Sequence, residues 1–469
     1  MIDARYSAIG LGLAALALAG CAGYKPMPRD PAAVAASYGA RTLSLEAARA
    51  ELQSLAPKVN WDGRRWDRLS LLAIAMVNNP TIVEARAKAA SAARALKAAR
   101  IPLAATLTLT SEYANDPGAT SPWLYGATLD VPLDIGAARI SRVGAAAFAA
   151  RSAHYDYMEA VWSARMALRR ALAARLLAER EVAISAALAQ TRELQRAAAE
   201  RRATAGETSR TEFARVSAEA AADSRRLTDA QARLAAADSA LAAALGVPGS
   251  ALQKLDASWA DFDAPTAPEA ATLAAAKQAA ALGRADILRA ASAYDQAESN
   301  LRAEVARQFP GVQIGPGYTW ERGLVKLPFT LALVLPPLDL NRTAIRAAEA
   351  GRSEAGAHLE ASVVQALSAV DAAMAEQGAA QAALAKVREV ELPAAQKQGR
   401  QADDAFAAGE IDRAEWGASK ALALQGELAA LDTLRRAQEA QAALEDALRR
   451  PLDGPELAID GAALAGANP

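Results

Sequence analysis

The sequence predicts a mainly α-helical chain with a small β part, built from two copies of one unit. Three observations predict it. Hydrophobic residues make up 52% of the chain and aromatics only 5%, so much of the apolar content is alanine, the strongest helix former and one that lets helices approach closely. Stretches without proline run far beyond ordinary helix length, as between Ala137 and Arg202. Four short signatures also recur in the same order. "VPLDIGAAR" at 131–139 answers "PPLDLNRTA" at 336–344, and "TAGE" at 204–207 answers "AAGE" at 407–410. "ALGVP" ending at Pro248 answers "ALRRP" ending at Pro451, and Ile101-Pro102 answers Phe309-Pro310. The offset drifts only between 203 residues (Gly206 to Gly409) and 208 (Pro102 to Pro310), which is the mark of a duplication.

The first residues read as a leader. Met1 and Arg5 precede an uncharged run from Ala8 to Ala19, shorter than the ~20 apolar residues that span a bilayer as a helix. That run matches the apolar region of a secretory signal peptide, with Ala19 and Gly20 as the small residues before cleavage. Cys21 is the only cysteine. It could be a buried small hydrophobe, but "AGYKPMPRDP" after it is a tether punctuated by proline and glycine, without periodicity. Leu18-Ala19-Gly20-Cys21 resembles a bacterial lipobox. The resemblance implies that Cys21 becomes the first mature residue and carries several acyl chains, which anchor stably where one would not. Ala22 in place of Asp implies sorting to the outer membrane. Once Cys21 is lipidated, no thiol remains for disulfides or metal ligation.

The expected organisation is a signal peptide over 1–20, a lipid-anchored extension over 21–65, repeats over 66–255 and 256–455, and a tail over 456–469. Each repeat opens with a helical stretch, "RLSLLAIAMVNNPTIVEARAKAASAARALKAAR" in the first and "DILRAASAYDQAESNLRAEVARQ" in the second. Asn79-Pro80 marks a break and restart, since proline suits a first helical turn. A strand pair follows. Thr106-Leu107-Thr108-Leu109-Thr110 alternates strictly, as a strand with two unlike faces does, and 124–131 follows after a turn containing Asn115-Asp116-Pro117-Gly118. In the second repeat 312–320 and 329–335 are expected strands, joined by "ERGLVKLP" as a turn. Pro132 and Pro337 end the strands and start the long helices, which reverse at Gly206 and Gly409.

Four short strands cannot close a barrel, and open edges are forbidden in lipid, where every backbone N–H and C=O must be paired. Three chains giving four strands each would close a twelve-stranded transmembrane β-barrel. Tyr113, Trp123, Tyr125, Tyr318 and Trp320 cluster around the strands, as membrane interfaces select, although ordinary sheets carry such residues too. The order helix, strand pair, long helix, Gly-Glu reversal and returning helix, written twice behind a lipobox, resembles the TolC-like outer membrane efflux family over nearly all the mature chain. The resemblance implies a homotrimer with a β-barrel in the outer membrane and an α-helical barrel through the periplasm. It further implies a periplasmic adaptor and an inner-membrane transporter as partners. The implied role is the exit duct of a tripartite pump for small molecules or metal ions, or of a type I protein secretion system.

Other classes are less well supported. A lipid-anchored coiled-coil scaffold would need the helices and the lipid but not two equivalent strand pairs. A formal net charge of −1 gives no field toward nucleic acid. There is no Gly-rich phosphate loop, no G-x-S-x-G and no H-E-x-x-H, so no enzyme and no cofactor are expected. His154 and His358 stand at equivalent positions; a trimer could ring them into a metal site, but no ligand-spaced carboxylate or cysteine accompanies them, and helix-surface residues are the plainer reading. Family members close the helical barrel at its tip with acidic residues beyond the reversal glycine. Here those positions are Glu212 and Glu415, each also the third residue after a helix-capping Ser209 or Asp412.

Overall fold

The computed structural model describes residues 24–115, 118, 121–133, 137–265, 270–321 and 323–459. Cys21 and its lipobox, Asp116-Pro117 of the first expected turn and the tail beyond Ile459 lie outside the described residues. The chain divides into two compact units, Met1–Thr42 and Leu43–Pro469. The first contributes one described helix, α1 (Pro31–Gly39), started by Asp30, whose carboxylate accepts from the Ala32 N–H, with proline in the first turn.

The second unit begins with α2 (Leu45–Leu55), α3 (Arg68–Asn78) and α4 (Pro80–Ala99). Asn79 is the joint between the last two. Its Oδ1 accepts from the Thr81 and Ile82 N–H groups, so α4 restarts at once with Pro80 as its first residue. Nine of the eleven α3 residues are buried, and Leu71, Leu72 and Ile74 head the principal core.

After β1 (Thr106–Tyr113) and β2 (Trp123–Pro132) comes α5 (Ala137–Thr204), whose 68 residues reach roughly 100 Å at 1.5 Å each. The return helix α6 (Arg210–Leu245) ends at Gly246 in the left-handed conformation. Helix α5 packs on α6, α4 and both later repeat-two helices that flank it, which is how so long an element buries its sides. Leu168 and Leu172 of α5 meet Leu241 and Leu245 of α6 in the core under α3.

The second repeat runs α7 (Ala270–Gly283), α8 (Ala285–Ala306), β3 (Gly311–Glu321), β4 (Leu324–Lys326), β5 (Phe329–Val334), α9 (Arg342–Lys386), α10 (Leu392–Ala407) and α11 (Arg413–Leu448). Helices α9 and α10 are joined by a single π turn, Val387–Glu391, with no interruption. Pro393 explains it: proline lacks an N–H and its ring collides with the carbonyl four residues back, and widening that turn absorbs the collision. The first repeat has no proline there, and α5 runs on as α-helix.

The sheet is antiparallel in the order β1-β2-β3, with β4 and β5 both on the far side of β3. β4 and β5 share one register along β3, Leu324 facing Glu321 and Phe329 facing Pro316, so they are one strand interrupted at Leu327-Pro328. Each chain therefore offers four strands. Half of the expected turn "ERGLVKLP" is strand: the reversal lies in the neighbourhood of Gly323, whose φ of 92° suits glycine, and the fourth strand starts three residues after Glu321. Prolines leave their mark in the middle too. The β2–β3 ladder stops after Thr128–Gly317 and resumes at Val131–Ile314, a gap opposite Pro316, which has no N–H to donate.

Among the described residues no helix is long and apolar enough to cross a membrane.

Candidate functional site

The sheet has one greasy face and one polar face. Following the register, Leu107, Leu109 and Tyr113 of β1 stand beside Leu129, Ala127 and Trp123 of β2. Ala127, Tyr125 and Val131 stand beside Tyr318, Trp320 and Ile314 of β3, and Ile314 and Val312 beside Leu331 and Leu333 of β5. On the opposite face the same ladders align Thr106, Thr108 and Thr110 with Asp130, Thr128 and Gly126, then Gly317 and Thr319, then Lys326 and Thr330. Successive side chains on a strand point to opposite faces, so the split follows directly from the alternation in the sequence. The described residues leave the greasy face open: Leu109 is 73% exposed and Phe329 67%. A soluble monomer rarely exposes so continuous an apolar patch.

The aromatic residues gather at the turn end of that face. Tyr113 meets Trp123 edge-on at 5.1 Å, Trp123 stacks on Tyr125 at 5.9 Å, and Tyr125 on Trp320 at 6.0 Å. Both lateral edges, β1 on one side and β4 with β5 on the other, carry no strand partner among the described residues. Strands of 8 to 11 residues span roughly 26–36 Å, enough for the ~25 Å apolar band of a membrane barrel.

The second candidate region is formed by the helical reversals at the other end of the long helices. Gly206 and Gly409 have φ of 78° and 76° with open space where a Cβ would sit. Both close the preceding helix in the same way, Glu207 N–H bonding the Arg202 carbonyl and Glu410 N–H the Ala405 carbonyl. Ser209 Oγ then caps α6 by accepting from Glu212 N–H at 3.1 Å, and Asp412 caps α11 by accepting from the Ala414 and Glu415 N–H groups at 2.8 Å. The two acids differ in what their carboxylates do. Glu212 pairs with Arg215, whose hydrogen bond holds its carboxyl below the usual range. Glu415 is exposed, and among the described residues its carboxylate has no charged partner.

Sequence reasoning missed the bonds that join these tips. Arg202 Nη1 reaches Asp412 Oδ2 at 2.8 Å and brings the two reversals together. In the second repeat alone, Asp403 accepts from Trp416 Nε1 at 2.9 Å and pairs with Lys420 at 2.5 Å. Phe406 lies against Trp416 at 5.5 Å with Arg413 over its ring, so both aromatics are packing residues of the tip. Burial tends to raise the Asp403 carboxyl, but the bonds from Lys420 and Trp416 outweigh it and hold it low.

A third feature was also invisible in the sequence. Arg68, Arg165 and Arg169 are buried to 3% exposure or less, with Glu445 and Glu456 equally buried. Arg165 pairs with Glu445 at 2.8 Å, and Arg68 with Asp453 at 2.6 Å and Glu456 at 2.9 Å, while Arg68 and Arg169 lie against the Trp259 ring. Three cations facing three acids make a neutral knot that ties the segment after α11 to α3 and α5. Burial pushes the Glu456 carboxyl up and the Arg169 guanidinium down. The hint in the sequence was Arg165 and Arg169 at i, i+4 spacing in a stretch of α5 that holds no acid between Glu159 and Glu179. His154 is half-buried beside Tyr155 and His358 is exposed on α9; among the described residues no three His, Cys, Asp or Glu side chains form a metal cluster.

Comparison with known proteins adds an independent line. Residues 71–247 match the family model described as outer membrane efflux protein. The fold matches VceC of Vibrio cholerae at 19% identity, covering 82% of this chain and 97% of that one with a TM-score of 0.65. The open state of the Neisseria gonorrhoeae MtrE outer membrane channel matches at 19% identity over 82% of this chain and 89% of that one, TM-score 0.65. A membrane protein from Pseudomonas aeruginosa matches at 18% identity over 91% and 96%, TM-score 0.66. No curated protein sequence matches the chain.

Proposed function

We propose that this chain, an outer membrane efflux protein by the domain in its first repeat and by the fold of the whole, forms the exit duct of a tripartite pump. The observation that carries the proposal is the sheet: one face apolar and open, the other polar, and both edges unpaired. Lipid tolerates no open edge, and three copies joined edge to edge close a twelve-stranded barrel with the apolar face outward and the threonine face toward water. The long helices then continue the duct through the periplasm, where the tips meet a periplasmic adaptor and, through it, an inner-membrane transporter. The cargo is small molecules or metal ions, and the duct performs no chemistry. Cys21 is lipidated and holds the extension to the outer membrane. Glu212 and Glu415 stand at the periplasmic aperture, with Gly206 and Gly409 as the reversals that form it.

The test is assembly and conductance together. The full chain expressed in a Gram-negative host should appear in the outer membrane fraction as a homotrimer with heat-modifiable β structure, and should conduct ions in planar bilayers. An elongated soluble dimer without conductance would mean a coiled-coil scaffold and would sink the channel.

A further inference from the structure

We propose that the cations where the helices meet the strands form a belt that binds the phosphate groups of anionic phospholipids, in the leaflet nearest the helices. The inference rests on the reading of the sheet as inserted in a membrane.

The ends of four helices lie side by side at that level. Arg142 of α5 donates to the Ala99 carbonyl at the end of α4 and to the Ile101 carbonyl after it. Gly144 of α5 lies against Ser299 of α8, and Asn341, at the start of α9, donates to the Glu304 carbonyl of α8 at 2.8 Å. The strands leave from this row, separated from it only by short exposed apolar links that include Ile101, Phe309 and Leu335.

Lys97 and Arg100 close α4, and Arg342 and Arg346 open α9. All four are exposed, and among the described residues none has a carboxylate partner. Lys97 and Arg100 have an ordinary explanation, because cations suit the negative end of a helix dipole. Arg342 and Arg346 have no such explanation: they stand at the positive end of α9, whose N–H groups are already served by Asp339, its carboxylate accepting from Asn341 and Thr343. Glu46, Glu212, Asp286 and Glu415 lie in the first turns of α2, α6, α8 and α11, while the first turns of α3, α4 and α10 hold no acid, as in α9. Exposed cations gathered beside apolar links, with no carboxylate partner among the described residues, are expected where an outside anion supplies the compensation.

A phospholipid phosphate fits that description. It sits at the depth where the apolar band ends, and guanidinium groups bind phosphate through paired, charge-assisted hydrogen bonds. The two ends of the sheet are accordingly dressed differently. The turn end carries the Tyr113–Trp123–Tyr125–Trp320 row, and the helix end carries arginine and lysine.

The test uses the full chain purified from membranes in a mild non-ionic detergent. It is offered equal phosphatidylglycerol and phosphatidylcholine, and the retained lipid is counted by native mass spectrometry. Phosphatidylglycerol should be retained several-fold over phosphatidylcholine. R342Q/R346Q should cut that preference at least about fivefold, the factor one cation contributes near an anionic surface. R342K/R346K should keep most of it, and salt at about 0.5 M should weaken it. R201Q/R210Q, which removes two charges at the hairpin tip, should leave it unchanged. Three results would overturn the belt while leaving the channel standing. One is a preference that survives R342Q/R346Q. Another is displacement of the lipid by millimolar inorganic phosphate, which would assign the cations to a soluble anion. The third is altered ion selectivity in planar bilayers with lipid retention unchanged, which would turn the cations toward the lumen. A chain recovered from the soluble fraction with no lipid at all would overturn the membrane reading together with the belt.

Discussion

Asn79 and Arg284 make the same contact in the two halves of the molecule. Asn79 Nδ2 donates to the Ala244 carbonyl at 2.8 Å, and Arg284 Nη1 donates to the Ala447 carbonyl at 2.5 Å. In each repeat the residue that starts the strand-bound helix thus holds the last turn of the returning helix. Just beyond those turns Gly246 and Arg449 both adopt the left-handed conformation, φ 72° and 50°. The joint is the same although the side chains differ, amide against guanidinium and glycine against arginine.

That joint yields the first prediction. Asn79→Ala removes a helix cap and leaves the buried Ala244 carbonyl without its donor, which should cost about 1–3 kcal/mol. Gly246→Ala should cost more, because a Cβ there would come within 2.3 Å of the Asn78 backbone oxygen and the backbone cannot swing aside. Gly206→Ala is the control. It carries the same kind of φ with nothing within 4 Å, so only the left-handed penalty of ~1–2 kcal/mol applies. Thermal unfolding of the three variants checks the order; Gly206→Ala costing as much as Gly246→Ala would refute it.

The sheet gives the second. Leu109 lies on the apolar face beside Ala127, and Thr108 on the opposite face beside Thr128. Leu109→Arg should destabilise the membrane barrel by ~2–4 kcal/mol, while Thr108→Arg should be tolerated. Outer membrane assembly assays of the two variants decide it, and equal tolerance would remove the lipid-facing assignment.

How much of this was legible is uneven, and the reasons are physical. The run Thr106 to Thr110 was readable because a strand with two unlike faces must alternate with period two. Leu324–Lys326 was not, because Gly323 and Pro328 flank it and both residues ordinarily mark turns. The π turn before Pro393 was not legible either, because a proline inside a helical run ordinarily marks a break, whereas here widening one turn keeps α9 and α10 continuous. The arginine knot was the least legible. Arg68, Arg165 and Glu456 lie far apart in sequence, and only packing shows that each charge has an opposite to meet. Asp412 illustrates a partial reading. Its capping role follows from its position before α11, but its bond to Arg202 depends on how the two hairpins lie together.

The anchor gives the third prediction. Cys21→Ser should abolish lipidation and leave an uncleaved or mislocalised precursor, with some barrel insertion persisting because the strands bind membrane themselves. Intact-mass measurement of the wild-type mature protein should show acyl chains on Cys21. A mature chain with an unmodified Cys21 would rule the anchor out.

Asp403 gives a pH-dependent prediction at the tip. Its carboxyl is held below its ordinary 3.8 by Lys420 and Trp416 against the opposing effect of burial. A carboxylate depressed in the folded state contributes stability above its unfolded pKa, and that contribution is lost as pH falls through the folded value. The wild type should therefore melt above Asp403→Asn at neutral pH. The gap should start to close near pH 3.8 and vanish at lower pH. A gap that widens on acidification would mean the carboxylate is not the stabilising partner.

The last prediction concerns the aperture. Glu212 and Glu415 occupy equivalent places beyond Gly206 and Gly409, and the backbone N–H of each is already taken by a cap, Ser209 or Asp412. A purely structural role would therefore treat the two alike. Their carboxylates are not alike. Glu212 is spent on Arg215, which also pairs with Glu219, so its charge is neutralised within its own helix. Glu415 keeps its charge exposed beside a tip where Arg202, Asp412, Asp403 and Lys420 already satisfy one another. Three copies would place three such charges around the axis, where they would concentrate cations at the mouth. Glu415→Gln should therefore lower cation selectivity and weaken block by divalent or trivalent cations, with thermal stability unchanged. Glu212→Gln should do neither to the same degree. Single-channel recording of both variants in planar bilayers makes the comparison. Equal effects of the two would show that position along the duct, not the free carboxylate, governs the field. Unchanged selectivity in Glu415→Gln would take it out of the aperture and leave Asp412 as a helix cap with an ordinary surface acid beside it.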